Sequence, residues 1–141
     1  MANPRRDHGL FIDTGAFYAR YVVKDQYHEE AQALWQRVQQ EKLACLTSNL
    51  VLAEFITLIA YRFGSSAALA SAREIYDSHA IEIHRPMLEE EMRGLDFIAR
   101  FPDQKISMTD AVSFAVMEKR EFAAAFTFDG HFEIAGFKRF R

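Results

Sequence analysis

Short apolar runs recur along this chain, the first three each followed by one or two stretches of helical periodicity. The first run is Gly9-Leu10-Phe11-Ile12, the second Leu43-Ala44-Cys45-Leu46-Thr47, the third Ala80-Ile81-Glu82-Ile83-His84 and the fourth Ala123 to Phe128. The first is apolar on both faces, so a strand built from it needs cover above and below. Helices supply that cover when the strands lie parallel and each connection crosses over the sheet. The pattern predicts an α/β fold, a short parallel sheet with helices on both faces.

The helices between the runs are legible from their spacing. A short one carries Phe17, Tyr18, Tyr21 and Val22. The next, after Asp25, places Ala31, Leu34, Trp35 and Val38 on one stripe, with Glu29 and Glu30 in its first turn, where the helix dipole favours acids. Ser48 or Asn49 caps a helix from Leu50 to about Phe63 that Gly64 stops, and Ser65 or Ser66 opens another through about Asp77. After Pro86 the expected buried stripe is Leu88, Met92, Leu95, Ile98 and Ala99, with Glu89-Glu90-Glu91 as a solvated face. Ser107 or Thr109 caps a helix through about Arg120, and Phe137 to Phe140 reads as a short edge strand. No repeat, low-complexity tract or linker interrupts residues 1–141, which are expected to form a single domain.

Four acids stand at informative places in this scheme. Ligands of open parallel sheets bind beyond the carboxyl ends of the strands, and Asp13 and Asp129 both follow strand ends. Taken singly, Asp13 reads equally as a helix cap, Asp129-Gly130 as a turn, and Asp110 as a first-turn acid paired with Ser107. Glu54 is harder to explain that way. It is the only charged residue between Leu50 and Tyr61, in a helix apolar nearly all round. A carboxylate buried there costs several kcal/mol unless it finds a cation, takes up a proton or faces a polar cleft. If all four converge, their repulsion calls for a positive charge between them, and an all-oxygen donor set suits Mg²⁺ or Mn²⁺. Such a site activates water and stabilises charge on a phosphate.

Other features narrow the choices. One cysteine rules out an intramolecular disulfide and makes a structural zinc site improbable, and the five histidines lack the spacing of a helical zinc pair. His131 reads as a turn residue. With no secretory segment and no apolar run of spanning length, a cytoplasmic protein with no membrane partner is expected. The net charge of −3 argues against bulk coating of nucleic acid but leaves room for local basic patches. Arg5 and Arg6 at one end, and Lys138, Arg139 and Arg141 interleaved with Phe137 and Phe140 at the other, form a basic–aromatic mix of the kind that holds single-stranded RNA.

Four motifs stand in order: Phe11-Ile12-Asp13-Thr14, Glu54 in its apolar helix, Ser107-Met108-Thr109-Asp110-Ala111, and Phe126-Thr127-Phe128-Asp129 followed by Gly130-His131-Phe132. In these the chain resembles the PIN-domain ribonucleases, most closely the small VapC-type toxins of toxin–antitoxin pairs. The resemblance implies a three-layer α/β/α sandwich and metal-dependent endonuclease activity on RNA. It also implies an antitoxin partner and a homodimer. By the same resemblance Asp13, Asp110 and Asp129 hold the metal, Glu54 completes the cluster, and Thr14 and Thr127 orient carboxylates. The competing expectation is a PIN-like module that binds RNA or a protein without cutting. A haloacid-dehalogenase-like phosphatase would want an aspartate two residues after Asp13, where Gly15 stands. A receiver domain would want paired acids beside its first strand, and these are not evident.

Overall fold

The computed structural model describes residues 9–141. Five strands form one sheet: β1 (Gly9–Ile12), β2 (Ala44–Ser48), β3 (Ile81–His84), β4 (Ala124–Phe126) and β5 (Lys138–Arg139). All pairings are parallel, in the spatial order β3-β2-β1-β4-β5. The helices are α1 (Thr14–Tyr21), α2 (His28–Gln40), α3 (Asn49–Phe63), α4 (Ser65–Asp77), α5 (Leu88–Arg100), α6 (Met108–Arg120) and the single turn α7 (His131–Ile134).

The strand order dictates where the helices lie. From β1 the chain moves outward to β2 and β3, then returns to β4 and continues to β5. Parallel crossovers are right-handed almost without exception, so α1 to α4 cover one face and α5 to α7 the other. Packing of α1 on α2 and α3, of α3 on α4, and of α5 on α6 agrees with this division. The result is the three-layer α/β/α sandwich that the alternation implied. Central strand β1 is buried throughout, whereas edge strand β5 is two basic residues, a charged edge that discourages further pairing.

The core is aromatic. Phe11, Phe17, Phe55, Phe114, Phe126 and Phe132 are fully buried. Trp35 is fixed by its indole N–H, which donates to the Ala16 carbonyl at 3.1 Å, tying α2 to α1. Phe137 and Phe140, read either as part of an RNA-holding mix or as a solvated edge strand, instead pack inward against Phe114 and Phe126, with ring centroids 5.9 and 5.7 Å apart. Arg37 lies over Phe140, and Arg141 pairs with Glu133 at 3.6 Å. The basic–aromatic mix at this end is therefore largely a closing clasp, and Arg5 and Arg6 lie outside the described residues.

Helix α5 departs from the expected stripe. Leu88, Met92 and Leu95 are 68, 48 and 46% exposed, and the inward face is Glu90, Gly94 and Phe97. Two contacts rotate the helix. Glu90, read from sequence as solvated, is buried because the Met87 N–H donates to its Oε1 at 3.2 Å and His84 Nε2 lies 2.8 Å from its Oε2. Those hydrogen bonds, with the charge of nearby Lys119, hold the Glu90 carboxyl below its ordinary range against the cost of burial. Gly94 lets α5 approach α6: a Cβ there would stand 3.2 Å from the Val112 N and 3.3 Å from the Ala111 carbonyl carbon. Gly94→Leu is accordingly expected to cost about 1–3 kcal/mol by overpacking, read as a lower urea midpoint at unchanged slope. Gly130, with open space around its Cα, should accept alanine without comparable loss.

Candidate metal centre and cleft

The order of strands reverses between β1 and β4. The chain leaving β1 turns to one face and the chain leaving β4 to the other, so a crevice opens between their carboxyl ends. Asp13 directly follows β1. Its backbone N–H extends the ladder by donating to the Phe126 carbonyl at 3.1 Å, and its own carbonyl accepts from Ala16 N–H as α1 begins. Asp13 thus occupies the N-cap position, but its carboxylate does not cap the helix. Instead Oδ2 accepts a hydrogen bond from the Thr127 hydroxyl at 2.8 Å.

Thr127 joins two acids. The strand ladder ends at Phe126, shorter than the apolar run suggested, and Thr127 turns its hydroxyl inward. The same Oγ1 that donates to Asp13 accepts the Asp129 backbone N–H at 2.9 Å. Thr14, expected to share this duty, buries its hydroxyl without a hydrogen-bond partner. Asp129 keeps its turn function: Oδ1 accepts the His131 backbone N–H at 2.9 Å, while the side chain remains 38% exposed to the cleft.

The other two acids arrive from opposite layers. Asp110 sits in the first turn of α6, and Ser107 performs the capping, its Oγ accepting the Asp110 N–H at 3.1 Å. That division of labour leaves the Asp110 carboxylate for the cleft. Glu54, on α3, is half-buried and lines the same space, so its escape from the apolar interior is the polar cleft. All four acids line one cavity of about 430 Å³, together with Tyr18, Asp25, Tyr27, Arg62 and Phe128 among others.

Proximity shows in the proton equilibria. Burial pushes Asp13 up to about 6, against the Thr127 hydrogen bond, and Asp129 and Glu54 add to the rise. Burial, then the charges of Asp13 and Asp129, push Asp110 up to about 8. Among the described residues no lysine or arginine forms an ion pair with any of the four acids. Carboxylates packed this way are unfavourable to one another until a cation enters, and an oxygen-rich donor set with this much negative charge fits a divalent ion. Donor atoms of Asp110, Asp129 and His131 lie within 4.8 Å of one another.

Sequence reasoning missed other residues that line the cleft. Arg62 follows Glu54 and Leu58 at i, i+4 and i+8 on α3, a spacing that puts all three along one side of the helix and could have revealed it. Its guanidinium lies 5.3 Å from the Tyr18 ring centroid and donates to the Tyr18 hydroxyl. Tyr27 stacks on Phe128 with centroids 4.5 Å apart and planes 8° from parallel. Asp25 secures that turn by accepting the Tyr27 N–H at 3.0 Å. Arg139 approaches the Phe128 ring at 5.7 Å.

A switch-point crevice on which Asp13, Glu54, Asp110 and Asp129 converge, at the edge of a five-stranded parallel sheet, defines a class, and the comparison with known families agrees: residues 10–138 match the PIN domain, and the chain belongs to that family. Within it, the chain is similar to the 23S rRNA-specific endonuclease VapC20 of Mycobacterium tuberculosis, with 34% identity over 94% of this chain and 98% of that protein. The crystal structure of that VapC20, described as a sarcin–ricin loop cleaving toxin, superposes with a TM-score of 0.80 at 32% identity, covering 91% of this chain and 95% of that one. FitAcB from Neisseria gonorrhoeae shares the fold, with a TM-score of 0.64 at 15% identity over 94 and 96% of the two chains.

Proposed function

We propose that this chain is a divalent-metal-dependent endoribonuclease, the toxin of a toxin–antitoxin pair acting in the cytoplasm. The observation that carries the reading is the convergence of Asp13, Glu54, Asp110 and Asp129 on one cleft, where among the described residues none of them forms an ion pair with a lysine or arginine. Similarity to an rRNA endonuclease over nearly the whole chain supports the choice of RNA.

In this reading Asp13, Asp110 and Asp129 would hold Mg²⁺ or Mn²⁺, and Glu54 completes the acidic cluster. Bound there, the cation supplies a nucleophile at neutral pH and positive charge for the scissile phosphate. The residues of the chain do the positioning. Thr127, bonded to Asp13 and to the Asp129 backbone, keeps the two carboxylates in register as the ion's charge draws on them. Burial of Asp13 and Asp110 excludes competing water from their oxygens. Arg62 takes a phosphate of the strand entering the cleft, held in place by Tyr18.

Arg62→Ala is then expected to weaken RNA binding while leaving the fold intact. Removal of one phosphate contact should also flatten the dependence of log affinity on log salt by about 0.7 for a single strand. Fluorescence anisotropy with a labelled oligonucleotide at several salt concentrations reads both. An unchanged slope would remove Arg62 from the RNA path.

The toxin reading brings two partners, a second copy of the chain and an antitoxin whose C-terminal segment covers the acid cleft with an arginine or lysine. Expression of the active chain alone should slow growth and co-expression of the adjacent gene should relieve it. An active nuclease that leaves growth untouched would instead be an RNA-processing enzyme.

A further inference from the structure

The four carboxylates leave His131 without a task. It opens α7 directly after the Asp129-Gly130 turn, and its backbone N–H is bonded to Asp129 Oδ1 at 2.9 Å, which keeps the imidazole on the carboxylate side of the turn. The ring nitrogen Nδ1 stands 3.2 Å from Asp129 Oδ1 and 4.0 Å from Asp110 Oδ2. It is buried and yet makes no hydrogen bond, so neither carboxylate is aligned with it as a proton acceptor. A buried nitrogen left that way is destabilising unless something else takes its lone pair or proton. A surface or turn histidine would have rotated this atom toward water.

The arrangement makes sense if Nδ1 offers a lone pair rather than a proton. Its nitrogen and one oxygen from each of Asp110 and Asp129 lie within 4.8 Å of one another, around a common point. Donor atoms sharing one first-row ion at bond lengths of about 2.1 Å sit roughly 3–4 Å apart, so small side-chain adjustments suffice. In the neutral ring Nε2 then carries the proton.

We propose that His131 Nδ1 is a nitrogen ligand to the ion held by Asp110 and Asp129, and that it tilts the centre away from Mg²⁺ toward Mn²⁺ and the later first-row ions. The inference rests on the metal-dependent reading above and deepens it. An all-carboxylate and water set is the natural home of Mg²⁺, which binds nitrogen poorly. Adding one imidazole favours transition ions in the order Mn²⁺ < Fe²⁺ < Co²⁺.

The test is calorimetric titration of the metal-stripped full chain with MnCl₂ and with MgCl₂, for the wild type, His131→Ala and His131→Asn. The Mn²⁺-to-Mg²⁺ affinity ratio should fall at least about tenfold in both variants, the lower end of what even supporting residues around a metal cost when lost. Mg²⁺ affinity should change much less, and the Asn variant, which keeps a polar side chain in the turn, guards against misreading a folding defect. Pulsed electron paramagnetic resonance of the Mn²⁺-loaded wild type should show coupling to an imidazole nitrogen that both variants lack. An unchanged ratio, or no nitrogen coupling in the wild type, would overturn the inference while leaving the carboxylate site standing. If the wild type binds neither ion, the metal reading of the cleft falls with it.

Discussion

Asp110→Asn should abolish RNA cleavage and, in the same protein, raise the melting temperature measured without metal. The two effects share one cause. Asp110 is 8% exposed, and burial together with the charges of Asp13 and Asp129 pushes its carboxyl to about 8. In the metal-free fold its charge is therefore a liability, and a neutral amide of nearly the same shape removes it. The Ser107 cap survives, because it bonds the Asp110 backbone N–H and not the side chain. Near pH 8 a gain on the order of 2 kcal/mol, or several degrees, is expected, discounted from the full shift because the four acids share protons. Cleavage should fall by at least about 100-fold, since loss of a residue merely supporting a metal already costs 10–100-fold. An aspartate whose work was to stabilise the first turn of α6 would behave the other way, with activity kept and the melting temperature lowered by loss of its helix-dipole interaction. Calorimetry and a cleavage assay on one preparation decide between them.

The second large effect concerns pH. Asp13 and Asp110 have carboxyls raised by the fold to about 6 and about 8, from an unfolded value of 3.8. A raised carboxyl stabilises the fold while it is protonated. That contribution is complete below the unfolded value and is lost as pH rises through the folded ones. The metal-free protein should thus be less stable near pH 9 than near pH 5.5, by a few kcal/mol. Glu90, held below its ordinary range, works in the opposite direction, but its contribution is lost only as pH falls into the acid range, below this window. A divalent ion should reverse the trend, because deprotonated carboxylates bind it and the protons they release make affinity climb with pH. Thermal unfolding at both pH values, with chelator and with Mg²⁺ or Mn²⁺, gives the comparison. Equal stability at the two pH values in chelator would mean that burial and mutual repulsion do not raise the Asp13 and Asp110 carboxyls as their geometry implies.

The parts of this molecule that were legible in the sequence are those determined by neighbours in the chain. Leu10-Phe11-Ile12 is apolar on both faces whatever surrounds it, and the position of Asp13 at its end follows. Ser107 and Asp110 are three residues apart, and the cap between them is local chemistry. Glu54 announced itself because a charge inside an apolar helix has few resting places. What was hidden depended on distant partners. Three successive glutamates do not say which one turns inward, and Glu90 does so because His84 of β3 and the Met87 N–H meet it there. Gly94 then draws α5 onto α6, leaving Leu88, Met92 and Leu95 toward solvent. Phe137 and Phe140 read as free to meet RNA until their contacts with Phe114 and Phe126 are seen. Tyr18, Tyr27 and Arg62 come to the cleft from three separate segments, and only the i, i+4, i+8 spacing of Glu54, Leu58 and Arg62 hinted at any of them.

The most direct measurement of the central claim is cleavage of a defined RNA, including a ribosomal RNA fragment, by the purified chain in chelator and after adding back Mg²⁺ or Mn²⁺. The four-carboxylate site predicts no cleavage in chelator, recovery with the ion, and no recovery in folded Asp13→Asn or Asp110→Asn proteins. Cleavage that persists in chelator, or that either variant performs as well as the wild type, would contradict it.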